Sequence, residues 1–147
     1  GVFEVRAKVP SGQGLWPAFW LLPSTRESKP EIDVMELLGH RPGRLELHFH
    51  YRDETGEARN VGHKVETEDL SEDWHVYGVD WSEEAIVWYL DGQEVWRYEE
   101  RQHIPDEPMY MILNLAVGGD WPGPPDSSTR FPAVFEIDYV RVWKHLQ

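Results

Sequence analysis

Short runs of period-two hydrophobic alternation, separated by Gly, Pro and Asp turns, extend along this whole chain, and no segment carries a convincing long helical period. Period two sends alternate side chains to opposite faces of a strand, so the apolar faces have to be buried sheet against sheet or inside a barrel. Gly1 to Lys8 opens the pattern, with Phe3, Val5 and Ala7 on one parity and Val2, Glu4, Arg6 and Lys8 on the other. A turn at Pro10 to Gly14 precedes Leu15 to Leu22, an apolar strand whose Pro17 implies a bulge or a sheet edge. After a turn at Gly39 to Gly43, Arg44 to Tyr51 sets Leu45, Leu47 and Phe49 on one face and Glu46, His48 and His50 on the other. Asp53 to Asp73 reads as a polar loop with one short strand near His63 to Val65. Trp74 to Trp81, Ala85 to Leu90 and Gln93 to Tyr98 read as strands, the last two joined by an Asp91-Gly92 hairpin turn. Met109 to Val117 reads as a buried strand carrying Asn114, and a Gly/Pro/Asp loop holding Trp121 separates it from a closing strand at Ala133 to Trp143. With 147 residues, the expectation is one all-β domain, a sandwich or a barrel.

The segment Glu31-Ile32-Asp33-Val34-Met35-Glu36 is where chemistry is concentrated. As a regular strand it would put Glu31 and Asp33 on one face and Glu36 on the other. One extra residue near Met35, a β-bulge, would return Glu36 to the side of the other two acids, with Ile32 and Val34 behind them in the core. Glu31 and Glu36 would then stand about four strand steps apart, roughly 13 Å between Cα atoms. Side chains leaning together can bring their carboxyls near ~5–5.5 Å, the separation of a retaining glycosidase pair. Asp33, between them, can hydrogen-bond one Glu and drive the two pKa values apart, leaving one ionised as nucleophile and one protonated as acid. A solvated acidic strand face is the competing reading, against which stand the repulsion of like charges and the poor strand propensity of Asp.

Composition narrows the partners. The formal net charge is −13 and Lys and Arg form no stripe, which disfavours nucleic acid, anionic membranes and polyanionic substrates, while a neutral polymer remains compatible. No cysteine is present, excluding thiol catalysis, Cys-based zinc sites and disulfides. No run is long and apolar enough to span a membrane as a helix, and no signal peptide opens the chain. Eight tryptophans exceed what a core of this size needs, and surplus indoles stack on the apolar faces of sugar rings.

Taken together, the blocks GVFEVRAK, LWPAFWLLP, EIDVME, Trp74 to Trp81, WYLDG, NLAVGGDWPG and FEIDYVRVW resemble, in order, the laminarinase-like branch of glycoside hydrolase family 16. The resemblance implies a jelly-roll β-sandwich of the concanavalin A-like type with an open cleft. It also implies retaining endo-hydrolysis of β-glucans, with Glu31 as nucleophile, Glu36 as general acid/base and Asp33 assisting the nucleophile. The E-x-D-x-x-E spacing is similar to the laminarinase type and favours substrates with β-1,3 linkages. Trp16 and Trp20 resemble cleft tryptophans, although one of them could be core. One of His48 and His50 resembles the family histidine near the catalytic acid; a metal pair is the alternative. Asn114 is either a satisfied core amide or a sugar contact, and Trp121 a platform at the cleft edge.

The resemblance also sets departures. Domains of that family run longer, and the upstream strands have no counterpart here, so the expectation is the C-terminal portion of a full catalytic domain, a jelly roll incomplete at its N-terminus. Asp138 resembles a C-terminal contributor to a structural calcium site whose N-terminal partners are missing; no cofactor is required. A complete domain is expected to be a monomer, whereas an incomplete one exposes edges and can associate. A β-glucan polysaccharide is the implied partner and an extracellular location the implied setting. Mixed-linkage β-1,3-1,4-glucan is the runner-up substrate. A non-catalytic glucan-binding module and an acidic metal-binding domain are the rival functions.

Overall fold

In the computed structural model, which describes residues 1–146, ten strands are present. They are β1 (Val2–Lys8), β2 (Leu15–Pro23), β3 (Glu31–Leu37), β4 (Arg44–Arg52), β5 (Ala58–Glu66), β6 (His75–Trp81), β7 (Ile86–Leu90), β8 (Gln93–Tyr98), β9 (Met109–Val117) and β10 (Glu136–Trp143). They form two five-stranded antiparallel sheets, ordered β10-β1-β6-β7-β8 and β5-β4-β3-β2-β9. The sheets pack face to face, as the all-β sandwich expectation requires. Val5, Ala7, Tyr77, Val79, Ile86 and Trp88 of one sheet meet Phe19, Leu21, Ile32, Leu45, Leu47 and Phe49 of the other in a single core. Burying the apolar side chains contributes roughly 1.5–3 kcal/mol each, the main favourable term in such a sandwich. Among the described residues, no helix is long and apolar enough to cross a membrane.

Pro17 lies within β2, second from the edge of its sheet, yet β2 pairs with β3 only from Ala18 onward. The proline therefore occupies a local edge, where its missing N–H costs no ladder bond. Asp91 and Gly92 both have positive φ, 50° and 78°, the geometry of a tight two-residue hairpin.

Three readings are corrected. The segment expected to be loop with a short strand near His63 to Val65 contains the nine-residue β5, Ala58–Glu66. It is an edge strand and mostly exposed, so it lacks the apolar alternation that betrays a strand; its ladder to β4 holds it. Met109 to Val117 is a strand but not a buried one: β9 is the opposite edge of the same sheet, with Tyr110, Met111 and Val117 exposed. The closing strand is shorter than expected, starting at Glu136.

Aromatic contacts of β8 with β4 and β5 (Tyr98 with Phe49, Trp96 with His63) seat that end of the first sheet over β4 and β5. Strands β10 and β9 therefore lie at the other margin. There Ile137 and Val140 share the inward parity of Ala7 and Val5, and Met111 that of Leu21, yet they remain 42%, 38% and 39% exposed. This margin of the sandwich is apolar and open to solvent.

Candidate active site

The outer face of the β5-β4-β3-β2-β9 sheet carries the three acids. Against β4, Asp33 pairs with His48 and Glu36 with Glu46, three steps on β3 against two on β4. Against β2, Asp33 pairs with Trp20 and Met35 with Phe19. The extra residue at Val34 to Met35 is the expected bulge, and both its side chains are buried, with Ile32 beside them. Parity is restored on the outer face, so Glu31, Asp33 and Glu36 line one side with His50, His48 and Glu46 opposite. From the other sheet, Trp88 donates its indole N–H to the Asp33 carbonyl oxygen at 2.9 Å, where the bulge interrupts the ladder.

Asp33 is the hub. One of its carboxylate oxygens lies within 4.8 Å of atoms of Glu31 and His50, and one within 4.8 Å of atoms of Glu36 and His48. It is 2% exposed, and burial, then the Glu36 and Glu31 carboxylates, push its carboxyl well above the usual range. Burial also raises Glu31, against the opposing effect of its hydrogen bond with Asp33. Burial thus raises Asp33 further than Glu31, so of the two Glu31 is the group that ionises first. His50 is pushed down to about 4, first by burial and then by the Lys29 and His48 charges. His50 Nε2 lies 3.0 Å from Asp33 Oδ2, and with His50 neutral the contact is a hydrogen bond rather than an ion pair.

Glu36 is held differently. Its Oε1 accepts from Trp16 Nε1 at 3.2 Å and its Oε2 lies 2.6 Å from His48 Nδ1. A Cβ on Gly62 of β5, opposite His48, would overlap the imidazole ring, so the glycine makes the seat for His48. Trp121 packs edge-on against Trp16 and against His48, with ring centroids 5.2 and 5.6 Å apart. Trp20 donates Nε1–H to Asn114 Oδ1 at 2.8 Å, satisfying that amide oxygen beside the cleft.

The row of acids runs between two hollows. One, of about 400 Å³, is bounded by Trp16, Trp121, His48, His50, Asn60 and Lys64; the other, of about 230 Å³, by Trp16, Trp20, Asn114 and Ala116. Every proposed sugar contact, Trp16, Trp20, His48, His50, Asn114 and Trp121, thus lines this face. Neither tryptophan of the W-P-A-x-W block is core. Sequence reasoning missed Asn60, Lys64 and Gly62, because β5 gave a strand signal only near His63 to Val65 and no sign of its pairing with β4, and the Trp88 contact, because it crosses between sheets. It placed Glu46 on the correct face without a role; the structure buries it, 2.6 Å from Arg44 Nη2.

Asp138 lies elsewhere, on β10, where Arg6 Nη1 occupies its carboxylate at 2.7 Å. Among the described residues no His, Cys, Asp or Glu cluster includes it.

A bulged acidic strand thus sets three carboxylates, flanked by tryptophans, on the open face of a β-sandwich. Residues 1–141 match the profile of the glycosyl hydrolases family 16, and the chain belongs to that family. It is 41% identical over 143 residues to the endo-1,3-1,4-beta-glycanase EglC of Rhizobium meliloti (strain 1021), covering 97% of this chain and 30% of that protein. It is 38% identical to the glucan endo-1,3-beta-glucosidase A1 of Niallia circulans, covering 98% of this chain and 24% of that protein. The laminarinase catalytic domain of Thermotoga maritima MSB8 superposes with a TM-score of 0.86 at 37% identity, over 100% of this chain and 64% of that one. The chain thus spans a third or less of those two curated relatives and under two thirds of the solved domain.

Proposed function

We propose that this chain hydrolyses internal β-1,3-glucosidic linkages of laminarin-type β-glucans, retaining configuration through a double displacement. The observation that carries this reading is the unequal housing of the two glutamates. Glu31 stands beside the buried Asp33, within 4.8 Å of its carboxylate, while Glu36 is held at both oxygens by Trp16 and His48. In the first step the ionised Glu31 attacks the anomeric carbon as Glu36 gives its proton to the departing glycosidic oxygen. The glucosyl group is then esterified to Glu31. In the second step Glu36 removes a proton from water, which attacks the same carbon and returns Glu31 as carboxylate. Asp33 shifts its proton toward Glu31 as that carboxylate is regenerated and orients it throughout. Neither step uses a cofactor. Trp16, Trp20 and Trp121 offer ring faces to glucose units, and His50 and Asn114 offer polar contacts to hydroxyls.

The β-1,3 preference draws support from the names of the Niallia circulans and Thermotoga maritima relatives and from the bulged acid spacing. Mixed-linkage β-1,3-1,4-glucan is the second reading, favoured by the name of the Rhizobium meliloti relative. A polymeric substrate that does not enter cells sets the activity outside the cell. The test is reducing-sugar release from laminarin and from mixed-linkage glucan by the wild type beside Glu31→Gln. Release from laminarin by the wild type alone supports the proposal. Equal release by the variant rejects the role of Glu31, and glucan binding without release by the wild type rejects hydrolysis in favour of a binding module.

A further inference from the structure

Gln13 sits outside the cleft, in the turn between β1 and β2, yet it touches the loop that carries Trp121. Its Nε2 donates to the Pro122 carbonyl oxygen at 2.9 Å and to the Pro124 carbonyl oxygen at 3.1 Å. A carboxamide nitrogen has two hydrogens, and both are committed to the residues that directly follow Trp121. Two carbonyl acceptors at one terminal atom also fix which end of the amide is nitrogen. Neighbouring contacts hold the same loop at its base. Gly118 N–H donates to the Gly14 carbonyl oxygen at 2.7 Å, and Thr129 Oγ1 donates to the Gln13 carbonyl oxygen at 2.7 Å. Gly14, at φ +82°, lies so close to the loop that a Cβ there would come within 2.5 Å of the Pro125 nitrogen. Within the loop, Gly118, Gly119 and Gly123 all have positive φ, and a single backbone bond, Gly123 N–H to the Gly119 carbonyl oxygen at 3.0 Å, spans Trp121.

The consequence reaches Glu36. Trp121 packs on Trp16 and His48, the two side chains that hold the Glu36 carboxylate. Trp121 is itself 39% exposed, so few contacts other than these fix its ring. We propose that Gln13 is a positioning residue for glucan binding: it clamps the Pro122–Pro124 segment so that Trp121 stands ready as a sugar platform against Trp16 and His48. This rests on the glucanase reading for its kinetic effect, but not for its structural one. Without the clamp the loop has to be ordered when the sugar binds, and that entropy is charged to affinity rather than to the chemical step.

The test compares wild type with Gln13→Met, which keeps the length of the side chain and removes both donors, and with Thr129→Val, which removes only the hydroxyl donor to the Gln13 carbonyl. The Trp121 indole ¹H–¹⁵N resonance is identified by its loss in Trp121→Phe. In Gln13→Met the proposal expects that resonance to shift and broaden without any glucan present. It also expects KM for laminarihexaose to rise about three- to tenfold with kcat within about twofold. Thr129→Val, which leaves the Gln13 amide intact, moves the resonance less. An unmoved Trp121 resonance in Gln13→Met overturns the proposal, as does an equal loss in kcat with KM unchanged. If Gln13→Met does not fold, Gln13→Ala, which also removes both donors, takes its place: a Trp121 resonance and KM that both match wild type overturn the proposal, and a displaced resonance with raised KM supports it. A wild type that releases no sugar, with the resonance still displaced in Gln13→Met, rejects the glucanase reading and leaves the clamp standing.

Discussion

Trp88 of one sheet donates its indole N–H to the carbonyl oxygen of Asp33 in the other, at 2.9 Å through the core of the sandwich. The bulge that aligns the three acids interrupts the ladder at this residue, and a buried carbonyl without a donor is costly. The core thus supports the bulge from behind, and the geometry of the acidic face is linked to the packing of the opposite sheet.

Replacing Trp88 by Phe keeps an aromatic ring and removes the donor. The expected cost is about 1–3 kcal/mol for the orphaned carbonyl, with further loss from the smaller ring. Urea denaturation measures it, and glucan hydrolysis should fall in the folded fraction as well. A Trp88→Phe chain with unchanged stability would show that the bulge needs no such support.

Asp33 has its carboxyl raised in the folded chain, chiefly by burial. The folded state therefore binds a proton that the unfolded state, with an ordinary value near ~3.9, releases earlier. Stability from this group is present below the unfolded pKa and is lost as pH rises through the folded one. Asp33→Asn, neutral at every pH, escapes that loss. The melting temperature of Asp33→Asn relative to wild type should rise as pH increases from about 4 toward neutrality. A difference that stays flat or falls over that range contradicts a proton held on Asp33.

Gly62 leaves room for the ring of His48, which any Cβ would overlap. Gly62→Ala should displace His48 from Glu36 and lower kcat by roughly 10–100-fold, with a small change in melting temperature. Full activity in Gly62→Ala would show that the His48 contact does not matter to turnover.

The apolar margin between β9 and β10 is open, and an edge strand with exposed Val and Ile residues invites pairing with a second copy of this chain. Sedimentation should show association that grows with concentration, and Val142→Lys on the β10 edge should shift it toward monomer. A wild-type chain that stays monomeric at all concentrations contradicts this.

The acidic strand was legible because its acids break a local rule: carboxylates in a β-prone run need one extra residue to share a face, and the bulge at Val34 to Met35 supplies it. The strands facing the core were legible for the same reason that they fold, since their alternation is the burial pattern itself. Strand β5 was legible only near His63 to Val65, because it is exposed along most of its length and polar residues sit there at little cost. With it went Asn60, Gly62 and Lys64, whose nearness to the acids depends on a ladder rather than on a pattern. Strand β9 misled in the opposite direction: its apolar run implied burial, while its place at an edge leaves Met111 and Val117 exposed. The Gln13 and Trp88 contacts join residues 109 and 55 positions apart, distances at which sequence pattern carries no signal.

The most direct test of the central claim is mass spectrometry of the protein after reaction with a 2-deoxy-2-fluoro-laminaribiosyl fluoride, which slows breakdown of a glycosyl-enzyme ester. The account predicts one fluorinated disaccharide per chain, attached to the peptide that carries Glu31 and located on that side chain. Attachment to Glu36, or no covalent adduct in a chain that hydrolyses laminarin, would contradict it.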